Sequence, residues 1–162
     1  MKTLILGVGN TIRGDDVIGL LVAREIADRN LPGVTVIECE SAGFEILDHM
    51  PDYDKVIIID AMKTDNPEEV GEIITCGLDE GRPTVTLLPS HGFDFAGLLK
   101  TYRQALPRKF PEDIRFILIK VKEVDEFREG VSSELEKKLD EVYKNVIFYL
   151  NNIISCDGSQ KY

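Results

Sequence analysis

The chain has 162 residues, a hydrophobic fraction of 43% and a formal net charge of -10. One domain with a substantial core fits that length, and the acidic balance excludes the clustered Lys and Arg of a nucleic-acid groove or of an anionic membrane contact. Three scattered cysteines, Cys39, Cys76 and Cys156, contain no CxxC pair, which excludes a zinc ribbon or thioredoxin-like motif and suits a reducing compartment.

In chain order, residues 3–8 are almost all apolar and predict a strand buried on both faces. A loop with Gly7, Gly9 and Gly14 follows, then the adjacent carboxylates Asp15 and Asp16. From Val17 the apolar residues Ile18, Leu21, Val22 and Ile26 recur at helical spacing, predicting a helix to about residue 29, stopped by Asn30-Leu31-Pro32-Gly33. Residues 34–38 predict a second strand. Phe44, Ile46, Leu47 and Met50 predict a short helix ended by Pro51.

Residues 55–60 predict the third strand, whose β-branched run Val56, Ile57, Ile58, Ile59 marks a central position. That strand is expected to close on Asp60. Residues 70–75 predict a shorter strand, antiparallel at an edge, and residues 84–88 a brief apolar stretch before Pro89-Ser90-His91-Gly92. A helix is expected over about 93–106, a fifth strand over 113–121 and a last helix over about 132–150, with Ser133 to Glu136 read as a capping box. The expected organisation is one domain over residues 1–152 with a polar tail over 153–162. The β/α alternation implies an α/β fold: a three-layer αβα sandwich around a mostly parallel five-stranded sheet, with one antiparallel edge strand.

Three polar residues fall at comparable places. Asp16 follows the first strand, Asp60 ends the third, and His91 precedes a helix. In an open parallel sheet such positions gather at one edge. A helix N-terminus disfavours imidazolium, and a metal requires neutral imidazole. Two carboxylates and one imidazole suit nickel, zinc or iron, with coordination positions left open. Each residue also has a plainer reading. Asp16 serves equally as a first-turn acid, Asp60 as a turn cap and His91 as a loop histidine.

Other chemistries fit less well. The glycine loop begins like a dinucleotide fingerprint, but the third glycine of GxGxxG would have to replace Ile12. Asp15 and Asp16 would repel a pyrophosphate at the helix start. No P-loop lysine and no GxSxG elbow occur, and Ser90 beside His91 makes no triad. Cys39 reads as a small buried residue, and His49 as a surface or cap residue. Glu38, Glu40 and Asp94 are further carboxylates that spacing does not single out.

The stretch LGVGNTIRGDDVIG (residues 6–19) resembles the N-terminal signature of the nickel–iron hydrogenase maturation endopeptidases. IIIDAMKT (residues 57–64) is similar to that family's second motif, and Ser90-His91-Gly92 to its third. The resemblance implies an endopeptidase that removes a C-terminal peptide from the hydrogenase large-subunit precursor once nickel has been inserted. It implies that Asp16, Asp60 and His91 bind the metal and serve catalysis. It implies that Glu38 and Ser41, in the loop after the second strand, help recognise the substrate. The family's acid at the Asp16 position is often Glu, and its loop glycines are replaced here by Cys39 and Glu40. Nickel is expected to arrive with the precursor rather than reside in the enzyme. A self-sufficient zinc hydrolase and a nickel-dependent precursor chaperone are the rival readings. No nucleic-acid or membrane partner is expected, and a monomer is expected; the composition and the early charges at Arg13, Asp15 and Asp16 predict a soluble cytoplasmic protein without a signal peptide.

Overall fold

The computed structural model describes residues 1–40, 45–80, 95–106, 109–122, 124 and 127–155. Among these residues five strands form one sheet: β1 (Thr3–Val8), β2 (Val34–Cys39), β3 (Lys55–Lys63), β4 (Ile73–Gly77) and β5 (Asp113–Val121). Their order is β2-β1-β3-β5-β4. β1 pairs in parallel with β2 and β3, β3 pairs in parallel with β5, and β4 runs antiparallel to β5 at the edge. All six residues of β1 and the first seven of β3 are buried, as unbroken apolar runs require in a sheet covered on both faces.

Among the described residues five helices cover the sheet: α1 (Ile18–Ala27), α2 (Glu45–His49), α3 (Phe95–Ala105), α4 (Ser133–Glu136) and α5 (Leu139–Ser155). Strand side chains alternate between two cores. Leu4, Leu6, Val8, Val56 and Ile58 pack with Ile46 and Leu47 of α2 and Leu99 of α3. Ile5, Ile57 and Ile59 pack with Ile18, Val22 and Ile26 of α1 and Val142, Val146 and Leu150 of α5. The result is the expected αβα sandwich.

The chain leaves β1 through α1 toward β2, then returns through α2 to β3 on the other side of β1. Right-handed crossovers taken in opposite directions put their helices on opposite faces. The C-terminal ends of β1 and β3 are therefore left with a crevice between them, the topological switch point of the sheet. Helix α1 lies directly on the strand backbones there. A Cβ on Gly19 would strike the carbonyl oxygens of Val8 and Ile59, and one on Gly7 would strike Ala23 and the Gly19 carbonyl.

Several boundaries differ from expectation. The first helix opens with a 3-10 turn over Gly14–Val17, and α1 ends at Ala27. Asn30 and Gly33 then take positive φ of 48° and 73°, which stops it. β3 does not end on Asp60; it continues to Lys63, because Asp60, Ala61, Met62 and Lys63 still pair with β5. β4 lies at Ile73–Gly77, shifted toward the C-terminus. The last helix is two, and its cap is Ser132 rather than Ser133: the Ser132 hydroxyl accepts from the Leu135 N–H at 3.3 Å. The third helical residue is then Leu135, which cannot reciprocate, so no capping box forms. α5 extends three residues into the expected tail. The brief apolar stretch over 84–88, together with Ser90, His91, Asp94 and Ser41, lies outside the described residues.

At the opposite edge of the sheet, buried Lys55 opens β3. Its ammonium donates to the Ile153 carbonyl of α5 at 3.0 Å and pairs with Asp113 of β5 at 3.1 Å. One side chain thus ties the last turn of α5 to the beginnings of two strands.

Candidate functional site

The glycine loop is a packing device. Gly9 N–H donates to the Cys39 carbonyl at 3.1 Å, Asn10 N–H to the Asp16 carbonyl at 3.3 Å, and Gly14 N–H to the Arg128 carbonyl at 2.8 Å. Amides committed in this way do not form a cradle for a pyrophosphate, in keeping with the incomplete fingerprint.

The loop delivers two neighbouring acids to different places. In a 3-10 turn successive side chains stand roughly 120° apart. Asp15 is fully buried and accepts from Ser132, whose N–H lies 2.5 Å from Oδ1 and whose hydroxyl lies 3.0 Å from Oδ2. Asp16, also buried, lies near enough to Asp60 for its charge to act on that carboxyl.

Asp60 sits where β3 loses its β1 neighbour. The last β1–β3 pair is Gly7 with Ile59, while the pairing with β5 carries on past it. By strand alternation its side chain belongs to the sheet face of Val56 and Ile58, the face that carries α3. Asp60 is fully buried. Its Oδ1 accepts from the Ala61 N–H at 2.7 Å, and its Oδ2 has no hydrogen-bond partner among the described residues. Burial pushes its pKa well above the ordinary carboxylate range, and the charge of Asp16 pushes the same way, against the weaker pull of the Ala61 N–H. With Oδ1 engaged, the proton belongs on Oδ2.

A buried oxygen without a donor, beside a second buried carboxylate, suits a cation that compensates both charges. Oxygen donors alone do not select among nickel, zinc and iron. Among the described residues no group of three His, Cys, Asp or Glu side chains is placed to hold a metal. The expected third donor, His91, belongs to the segment before α3 that lies outside the described residues, and Asp60 faces the layer that α3 occupies.

The structure does not bring Glu38 to this pair. Its carboxylate accepts from Arg24 Nε of α1 at 2.8 Å, on the face opposite Asp60. Cys39 is buried in the α2/α3 core, and burial pushes its thiol pKa up, the reverse of an activated nucleophile. His49 is exposed at the end of α2. The Asp15–Ser132 pair was not legible in the sequence, because its members stand 117 residues apart.

A family model described as hydrogenase maturation protease (HycI) matches residues 20–148, a span that holds Asp60 and His91 and begins just after Asp16. Several solved structures are similar. The hydrogenase maturating endopeptidase HybD from E. coli is 24% identical, with 94% of this chain and 93% of that one covered and a TM-score of 0.72. An endopeptidase from Escherichia coli solved in solution is 26% identical over the same shares, with a TM-score of 0.73. The [NiFe] hydrogenase maturation protease HybD from Thermococcus kodakarensis is 25% identical, covering 92% of this chain and 99% of that one, with a TM-score of 0.66. No curated protein matches the chain.

Proposed function

The chain belongs to the hydrogenase maturation protease family, and from that membership we propose that it is the endopeptidase that removes a C-terminal peptide from the large-subunit precursor of a nickel–iron hydrogenase. Nickel already seated in the precursor is part of the substrate and acts as the recognition signal. Asp16, Asp60 and His91 meet it at the crevice. The observation that carries this reading is the buried Asp60 carboxyl, with Oδ2 lacking a donor and Asp16 beside it, at the switch point of the sheet.

The roles follow from the environments. Asp16 and Asp60 supply oxygen donors that water cannot reach, so a cation bound there is not competing with bulk solvent. Asp60 holds a proton on Oδ2 in the resting chain, and a positive charge beside it would favour its ionised form, opposing the effect of burial. When the precursor docks, its nickel supplies the Lewis acid that polarises the water or the scissile carbonyl. Glu38 and Ser41 take part in recognising the precursor, with Glu38 near the C-terminal end of β2, the strand beside β1.

Mass spectrometry of a large-subunit precursor incubated with the protein, with and without nickel loading, tests the proposal. The expected result is loss of a C-terminal peptide from the nickel-loaded form only, abolished in Asp60→Asn and in His91→Ala. Cutting of both forms removes nickel as the signal. An intact nickel-loaded precursor that stays bound makes the chain a holding factor instead of a protease.

A further inference from the structure

We propose that Asp15 is a positioning residue, which, through its bonded pair with Ser132, holds the 3-10 turn so that Asp16 faces Asp60. The inference rests on the reading of Asp16 as a cation-binding group and adds a residue to that site.

The turn over Gly14–Val17 has only four residues and no strand of its own to hold it. It is held from behind. Arg128 N–H donates to the Ile12 carbonyl at 3.0 Å, Gly14 N–H donates to the Arg128 carbonyl at 2.8 Å, and Arg13 and Arg128 form a parallel bridge. Residues 128–132 therefore run alongside residues 12–15, and Ser132 closes the strap on Asp15.

The closure is made for direction. Both Asp15 oxygens are engaged by one residue, through its N–H and its hydroxyl. That hydroxyl also accepts the Leu135 N–H that caps α4, so its proton is left pointing at Asp15. Asp15 and Ser132 are both buried. Charge-assisted bonds in a dry setting are strong and geometrically demanding. Within the 3-10 turn the backbone dihedrals set the angle between neighbouring side chains, so anchoring Asp15 sets the direction of Asp16.

The test is a nickel(II) titration of the untagged full chain by calorimetry, with thermal unfolding recorded alongside. Asp15→Asn keeps the shape but sets an amide against the Ser132 hydroxyl. It is expected to weaken nickel binding roughly 10–100-fold, as loss of a ligand's orienting partner does, while unfolding stays cooperative. Ser132→Thr, which retains both donors, is expected to bind like the native chain. The double variant Asp15→Asn/Asp16→Asn is expected to bind no more weakly than Asp16→Asn alone, because Asp15 acts through Asp16. If Asp15→Asn lowers stability yet binds nickel normally, or if the two losses add, the positioning role is overturned. Should Asp15→Asn fail to fold, Ser132→Ala, which keeps the backbone donor, decides the matter by a smaller loss or none. Native-like nickel affinity in Asp16→Asn would show instead that the cation-site reading is wrong, and the positioning role falls with it.

Discussion

Asp60 carries a protonation state that depends on its company. Its folded pKa is raised above that of the unfolded chain, so over the pH range between the two the folded state holds a proton that the unfolded state has released. Stability must then fall as pH rises from the ordinary carboxylate range through the raised folded value, and level off above it. In Asp60→Asn the amide oxygen still accepts the Ala61 N–H, and no charge is buried. Unfolding at a series of pH values should show that fall removed and a melting temperature above native at the alkaline end, by roughly 2–4 °C per kcal/mol recovered. The same variant should lose precursor processing, the combination expected where a site is kept at a cost in stability. Asp60 was legible in the sequence as the acid that follows the run Val56 to Ile59, and Asp16 as one of two acids opening the first helix. The division of labour between Asp15 and Asp16 was not, since adjacent acids look alike until the turn aims them apart.

Elements here are set by close backbone approach as much as by side-chain packing. Gly19 places the start of α1 against the carbonyls of Val8 and Ile59, directly beneath the crevice. Gly19→Ala should cost about 1–3 kcal/mol, the usual range for overpacking, and should depress processing further by lifting the turn that carries Asp16. Thermal unfolding and a processing assay on the same preparation check both effects. The β-branched run before Asp60 announced a central strand, and the alternation of strands and helices announced the layers. The end of β3 did not show, because Ala61, Met62 and Lys63 stay extended only through their pairing with β5. The cap at Ser132 was misplaced by one residue, since the local pattern at Ser133 to Glu136 is the better match and the deciding partner, Asp15, lies far away in sequence.

The whole molecule carries a net charge of -10, and among the described residues no helix is long and apolar enough to cross a membrane. Self-repulsion at that charge opposes the compact state. Raising ionic strength from about 0.02 M to 0.2 M shortens the Debye length severalfold and should raise the melting temperature; a fall would mean that attractive pairs such as Arg24–Glu38 and Arg103–Asp79 dominate the surface. The tie made by Lys55 has a bearing on how the protein is handled. It fixes the final turn of α5 at the beginning of β3, five residues and about 16 Å of strand from Asp60. A dye, affinity handle or surface tether joined to exposed Ser155, at the end of that helix, therefore sits at the far rim, away from the crevice that a partner as bulky as a hydrogenase subunit would approach.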